Sequence, residues 1–72
     1  MKNNIHKTVI IDKKTKLAKD INIGPYSIIG ANVQIKNYVK IHSHVNIQGY
    51  TTIDEGTEIF PFASIGTIPQ DL

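Results

Sequence analysis

The sequence has 72 residues, no Cys and a formal net charge of +2. Fourteen Ile, four Val and six Thr make up a third of it, and this composition favours strands over helices. The lack of Cys excludes disulfides and thiolate metal sites. The longest apolar runs are three residues, too short to span a membrane, and the first residues lack the hydrophobic core of a signal peptide. We therefore expect a cytoplasmic protein without membrane insertion.

Charge is distributed unevenly along the chain. All eight Lys lie in residues 1–40, whereas four of the six acidic residues follow them. A basic half can attract an anionic partner such as a nucleic acid or an acidic carrier protein. The sequence has no Arg, and its aromatic residues do not interleave with the Lys as a nucleic-acid platform requires. We predict no nucleic-acid partner and expect the basic cluster to be solvated: Lys13, Lys14, Lys16 and Lys19.

A period of six residues runs through the chain. Every sixth residue is a large aliphatic one, until Asp71 breaks the series: Ile5, Ile11, Leu17, Ile23, Ile29, Ile35, Ile41, Ile47, Ile53, Ile59 and Ile65. A second series, four residues after each of these, is mostly small or β-branched. Residues two apart on a strand share a face, so pairs such as Val9 and Ile11 point inward together. A helix is excluded because a step of six rotates it by about 240°, which spreads the Ile over three sides.

The residues between these short strands suit turns. In chain order, the central pairs include Pro25-Tyr26, Ala31-Asn32, Asn37-Tyr38, Glu55-Gly56 and Pro61-Phe62. Pro at the first position, or Gly or Asn at the second, is typical of type II turns. Tyr26, Tyr38 and Phe62 fit less well if the second position has positive φ. We therefore expect some turns to depart from the simple type.

Short strands separated by sharp turns predict an all-β parallel β-helix. Three hexapeptides would close one coil, so that residues 18 apart stack, and the chain would form about 3.7 coils. The three-sided closure and left-handed winding are those of known hexapeptide-repeat proteins, because the period alone does not determine the hand. So short a solenoid buries a small core and leaves strand edges open. We therefore expect an isolated monomer to be marginally stable, and to trimerise or aggregate.

One outward face of the predicted coils has few charges. It carries a single charge among eight residues and two stacked Ile: Ile10, Asp12, Ile28, Gly30, Asn46, Gln48, Ser64 and Gly66. Such a surface is typical of a subunit interface. Apolar residues scattered over an ordinary surface are the alternative.

The three His are candidate bases or metal ligands. His42 and His44 are two residues apart, but His44 falls in a predicted turn, so the pair should diverge. His6 and His42 share a column two coils apart, about 9–10 Å, which is too far for one Zn²⁺. We therefore predict no metal site and expect these His to pack at a surface or interface. A γ-class carbonic anhydrase, another hexapeptide-repeat zinc enzyme, is the alternative.

Several segments resemble one enzyme family. They are Ile5-His6-Lys7-Thr8 with Ile11-Asp12, Ile23-Gly24-Pro25-Tyr26-Ser27, Ser43-His44-Val45, Phe62-Ala63-Ser64-Ile65-Gly66, and Pro69-Gln70-Asp71-Leu72. Together they are similar to the acyl-carrier-protein-dependent UDP-N-acetylglucosamine O-acyltransferases of lipid A biosynthesis. The resemblance spans the whole chain but only the first third or less of those enzymes. It implies that residues 1–72 are the N-terminal part of a hexapeptide-repeat β-helix domain, truncated before its later coils and C-terminal helical domain.

The resemblance also implies an activity and its residues. The reaction would move a 3-hydroxyacyl group from acyl carrier protein to the 3-hydroxyl of UDP-N-acetylglucosamine, in a homotrimer with active sites between subunits and without a cofactor. The family's catalytic His lies in a later coil, so this chain would hold no catalytic residue. Gln70 and Asp71 match the pair that contacts the acyl donor, with Asp71 accepting a hydrogen bond from the acyl 3-hydroxyl. Alternatively, Asp71 simply ends the repeat.

Two other functions fit the same repeat. One is a non-catalytic β-solenoid that serves as a structural or interaction module. The other is a sibling hexapeptide N-acyltransferase or acetyltransferase.

Overall fold

A computed structural model describes residues 3–66. Within that range the chain contains no helix, and so none that could cross a membrane. Eleven strands of two or three residues alternate with turns. They are β1 (Asn4–Ile5), β2 (Ile10–Ile11), β3 (Lys16–Leu17), β4 (Asn22–Ile23), β5 (Ile28–Ile29), β6 (Val33–Ile35), β7 (Lys40–Ile41), β8 (Asn46–Ile47), β9 (Thr51–Ile53), β10 (Glu58–Ile59) and β11 (Ser64–Ile65).

The strands form three parallel sheets, which are the three faces of a β-helix. The first face is β1-β4-β7-β10, the second is β2-β5-β8-β11 and the third is β3-β6-β9. Every pairing joins residues 18 apart, as Ile5 pairs with Ile23 and Leu17 with Ile35. The described residues thus form three complete coils and two sides of a fourth. Both the all-β parallel β-helix and its number of coils, predicted as about 3.7, are confirmed.

The interior is filled by the two inward series read from the sequence. Eleven apolar side chains there are at most 6% exposed: Ile21, Ile23, Ile29, Val33, Ile35, Val39, Ile41, Val45, Ile47, Ile53 and Ile59. Ser27 is the buried polar side chain among them, and its hydroxyl donates to the His42 carbonyl at 2.9 Å and accepts from the Val45 amide at 3.2 Å. The core is therefore dry and its one hydroxyl is fully satisfied.

The turns define three corners of the triangle. The first corner lies between the first and second faces and contains residues 7–8, 25–26, 43–44 and 61–62. The second corner, residues 13–14, 31–32 and 49–50, joins the second and third faces. The third corner, residues 19–20, 37–38 and 55–56, returns the chain to the first face one coil further on.

Five non-glycine residues have positive φ, and all are the second residue of a turn: Asp20, Tyr26, Tyr38, His44 and Phe62. This backbone conformation costs a residue with a Cβ about 1–2 kcal/mol. It also aims the amide along the helix axis. Four such turn amides, including that of Gly56, donate to the carbonyl 19 residues earlier: Tyr38 to Lys19 (3.1 Å), His44 to Pro25 (2.9 Å), Gly56 to Asn37 (3.0 Å) and Phe62 to Ser43 (3.3 Å).

The sequence expectation for the turns is partly reversed. Asn32, which suits positive φ, does not adopt it, whereas the aromatic residues Tyr26, Tyr38 and Phe62 do. At the turn of residues 49–50, Gly49 takes the positive φ instead of the second residue. The axial hydrogen bond, which contributes about 0.5–1.5 kcal/mol, offsets the strain at the aromatic positions and depends on the neighbouring coil. Local residue preference therefore does not decide the turn type.

The stacked core makes a volume-sensitive prediction. Ile41 is 2% exposed, whereas Ile10 is 63% exposed on the second face. We expect Ile41→Val to lower the free energy of unfolding by about 0.5–1.5 kcal/mol, because a methyl group is lost from a packed interior. The matched change Ile10→Val should cost under about 0.5 kcal/mol. Urea denaturation followed by circular dichroism measures both, and equal losses would contradict the stacked core.

Candidate functional site

The donor-contacting residues expected from the sequence, Gln70 and Asp71, lie outside the described residues. Their roles stay predictions. The described part of the chain does contain the surface that precedes them along the helix axis. Thr52, 18 residues before Gln70, lies on β9 of the third face, where it pairs with Gln34 of β6. Below it in the same column is Lys16 of β3.

A shallow groove of about 350 Å³ runs along the third face and its second corner. Its lining is polar and basic, with one aromatic ring at the rim: Lys14, Lys16, Ala31, Asn32, Val33, Gln34, Tyr50, Thr51 and Thr52. Tyr50 is 92% exposed. The groove offers ammonium, amide and hydroxyl groups but holds no carboxylate or His. It can therefore bind polar or anionic groups of a ligand, but it supplies no general base.

The His residues do not converge. His42 projects from the first face, where its ring stacks on Phe60 with centroids 5.2 Å apart, and its Nε2 lies 2.7 Å from Glu58 Oε2. His44 sits at the first corner, between other rings, as its predicted place in a turn required. His6 Nδ1 lies 2.9 Å from Thr8 Oγ1. Among residues 3–66, no three His, Asp or Glu side chains are close enough together to hold a metal ion.

A column of stacked rings occupies the first corner. Tyr26, His44 and Phe62 are 18 residues apart, and their ring centroids are separated by 5.3 and 5.0 Å. Tyr26 is 62% exposed and Phe62 is 77% exposed, so the stack lies on the surface. Sequence reasoning missed this column, although the 18-residue spacing of three aromatic rings was its signal. Ring stacking contributes about 0.5–1.5 kcal/mol per pair and helps to offset the strained turns.

Exposed apolar side chains continue from this corner onto the second face. Ile28, two residues after Tyr26, is 40% exposed and pairs with Ile10, which is 63% exposed. Phe60 and Phe62 extend the same surface one coil further along the axis. The second face is the one predicted as an interface, and the structure adds the ring column to it. A contiguous apolar surface of this kind is typical of a protein contact site.

Glu58 is the one described group whose titration is clearly perturbed. Its carboxylate accepts a hydrogen bond from His42, which lowers the pKa of Glu58 from its ordinary value of 4.5. The positive charge of His42 and of Lys40 acts in the same direction, while burial opposes it weakly. The charged form is thus favoured, and Glu58 holds His42 against the first face.

Comparison with known proteins identifies the family that this chain resembles. None of the protein-family models matches the sequence. The O-acyltransferase of Thermodesulfovibrio yellowstonii, named for acyl carrier protein and UDP-N-acetylglucosamine, is 49% identical over 97% of this chain and 27% of its own length. The Rickettsia canadensis enzyme of the same name is 51% identical over 97% of this chain and 26% of its own.

The solved structures agree with the sequence relatives. A crystal structure of a UDP-N-acetylglucosamine acyltransferase superposes with a TM-score of 0.91 and 46% identity, covering 96% of this chain and 27% of that protein. The chain matches a segment of the UDP-N-acetylglucosamine acyltransferases. The enzyme from Campylobacter jejuni also gives a TM-score of 0.91, at 32% identity. Mirror-image solenoids do not superpose, so the expected left-handed winding of these acyltransferases is confirmed here.

The coverage limits what the match carries. The chain spans about a quarter of the acyltransferases it matches. The motif-based resemblance is confirmed, since the relatives carry the name expected from residues 5–72. The activity and substrates of the whole acyltransferase are taken up below as proposals.

The His42–Glu58 contact generates a titration prediction. In the native chain we expect the pKa of Glu58, followed by NMR of its side-chain carboxyl carbon, to lie below 4.5. His42→Ala removes the hydrogen-bond donor and should raise it toward that ordinary value, whereas His44→Ala, at the first corner, should leave it unchanged. Because the folded pKa is depressed, the contact stabilises the fold above pH 4.5 and is lost as the pH falls through the lowered value. A Glu58 pKa insensitive to His42→Ala would contradict the contact.

Proposed function

We propose that this chain forms part of the β-helix domain of an O-acyltransferase. The enzyme would transfer a 3-hydroxyacyl group from acyl carrier protein to the 3-hydroxyl of UDP-N-acetylglucosamine, the first step of lipid A biosynthesis. The observation that carries this proposal is about 50% identity, over 97% of the chain, to proteins named for acyl carrier protein and UDP-N-acetylglucosamine. The matching coils of the solved acyltransferases support it further.

The proposed chemistry needs no cofactor. A general base takes the proton of the sugar hydroxyl, whose oxygen attacks the thioester carbonyl, and the carrier's thiolate leaves as the tetrahedral intermediate collapses. Residues 3–66 bring no His to the third-face groove, and this fits a base located in a later coil. The chain's part in the reaction is then to bind and orient the acyl donor. Activity of the 72-residue chain by itself is not expected.

Gln70 and Asp71 are the proposed donor contacts. The 18-residue period predicts that these positions follow Thr52 and Ile53, at the end of the third-face groove. A carboxylate at position 71 in place of the repeating aliphatic residue would accept a hydrogen bond from the acyl 3-hydroxyl. An acceptor left unpaired by a plain acyl chain discriminates against that chain by up to about 10⁴-fold.

We further propose that the protein works as a homotrimer in the cytoplasm. The apolar surface made by the second face and the ring column supports self-association, because Ile10, Tyr26, Phe60 and Phe62 are all more than half exposed in the single chain. The cytoplasm is the compartment that supplies both the nucleotide sugar and the carrier-protein thioester.

The alternative functions differ in measurable ways. A non-catalytic solenoid would bind partners but acylate nothing, and a sibling N-acyltransferase would need an amino sugar as its acceptor. The third-face groove favours neither, since it has no carboxylate that could hold an acceptor amine. The identity of the named relatives favours the O-acyltransferase.

The activity prediction uses the full reading frame that encodes residues 1–72. We expect it to acylate UDP-N-acetylglucosamine with 3-hydroxyacyl carrier protein, and to prefer that donor over the plain acyl donor by about 10²–10⁴-fold in kcat/KM. Asp71→Ala should remove most of this preference. Glu55→Gln, an exposed change at the third corner, is the matched control and should keep it. Transfer to an amine acceptor only, or no transfer at all, would reject the proposed reaction.

The oligomer prediction concerns the second face. Ile10→Asn/Ile28→Asn places polar groups at two stacked, exposed positions without touching the core. If this face is buried between subunits, sedimentation should show a shift from trimer toward monomer of at least tenfold in the dissociation constant, because apolar contact area is lost. Gln34→Asn/Thr52→Ser on the third face is the control pair. An unchanged trimer in the Ile variant would exclude the second face as the interface.

A further inference from the structure

The Lys residues are concentrated at one level of the solenoid. Every corner of the first coil carries at least one: Lys7 at the first corner, Lys13 and Lys14 at the second, and Lys19 at the third. Lys16 projects between the second and third corners, from β3. The corners of the later coils carry none, and Lys36 and Lys40 are the described Lys beyond the first coil.

These five first-coil Lys, which we call the basic ring, are exposed and not neutralised locally. Among residues 3–66 the one ion pair joins His42 to Glu58, so no described carboxylate pairs with the ring. Asp12 is the nearby acid in sequence, but its carboxylate accepts the Lys14 backbone amide at 2.9 Å. The ring therefore presents its full positive charge to the solvent.

Negative charge lies toward the other end of the axis. Asp54, Glu55 and Glu58 belong to the third and fourth coils, and Glu58 stacks above Lys40 on the first face. The described solenoid is thus polarised, with its positive end at the first coil. Charge of one sign gathered at one end of a rod orients that end toward an anionic partner.

The end of the solenoid inside the basic ring is apolar and unpaired. β1, β2 and β3 each have a strand neighbour on one side only. The inward Ile5 is 37% exposed, whereas Ile23, Ile41 and Ile59 above it are at most 6% exposed. Val9, Ile11 and Leu17 of the same coil are half-buried. A triangle of positive corners therefore surrounds a small apolar patch.

The shape of this arrangement selects the partner. A folded acidic protein or a nucleic acid approaching from the side would reach one corner and leave the other two in water. A plane perpendicular to the axis reaches all three corners at once, since a Lys side chain is longer than the rise of one coil. We propose that the basic ring docks the solenoid, end-on, to the surface of a bilayer containing anionic lipids.

The interaction is peripheral. The Lys ammonium groups contact lipid phosphates, while the unpaired strand amides and carbonyls stay in the hydrated headgroup layer, where water satisfies them. Ile5 and its neighbours reach only the boundary of the acyl chains. This inference is independent of the acyltransferase proposal, because it uses only the charges and edges of the first coil.

Vesicle sedimentation of the 72-residue chain tests the proposal. The vesicles are phosphatidylcholine alone or phosphatidylcholine with 30 mol% phosphatidylglycerol, at low and at near-physiological salt (about 150 mM). Three variants each remove two charges: Lys7→Gln/Lys19→Gln at the first and third corners, Lys13→Gln/Lys14→Gln at the second, and Lys36→Gln/Lys40→Gln beyond the ring. Circular dichroism checks that each variant keeps its strand content.

We expect binding to the anionic vesicles only, weakened by salt. Each of the two ring variants should lower the partition coefficient by about 10–30-fold, whereas the control pair should lower it by under about threefold. Three results would overturn the proposal. They are equal binding to neutral vesicles, an effect of one ring variant without the other, which would indicate a one-sided site for an acidic macromolecule, and a control pair as damaging as the ring pairs.

Discussion

The pairing of residues 18 apart is the constraint on which the whole molecule depends. Its strands are two or three residues long, too short to be stable alone or as an isolated pair. All of the strand pairings join one coil to the next. A strand therefore exists only because the coils beside it place an identical edge at hydrogen-bonding distance. The turn amides follow the same rule, and so do the stacked rings at the first corner.

Much of this could be predicted from the sequence, because the inward positions are chemically simple. A column such as Ile5, Ile23, Ile41 and Ile59 needs only a large aliphatic residue, and the hexapeptide series shows that requirement directly. The number of coils and the divergence of His42 from His44 follow from the same arithmetic. The interior of a repeat protein is thus determined by period and residue size.

The corners and the outer surface were less predictable, since they depend on neighbours in adjacent coils. The aromatic residues at positive φ are explained by axial hydrogen bonds, which residue preference within one turn does not include. The His42–Glu58 contact joins residues 16 apart and has no signal in the six-residue period. Gln70 and Asp71 were found through a family motif, and only their break with the aliphatic series has a physical basis in the sequence.

Separate jobs can be assigned to separate columns because the inward residues alone hold the coil. The first corner carries rings, the second face carries exposed Ile, the third face a polar groove, and the first coil its Lys. A change in one outward column leaves the others in place, as their spacing is set by the backbone ladder. The same scaffold can therefore combine binding of a substrate, contact between subunits and attachment to a surface.

The uniform 18-residue step has an evolutionary consequence. Inserting or deleting one residue within a coil would rotate every later side chain off its column, turning Ile outward and charged residues inward. Gain or loss of a whole coil would merely lengthen or shorten the prism by one storey and leave each column continuous. We expect homologous solenoids to differ in size by complete windings, with odd-length additions confined to loops that protrude from the corners.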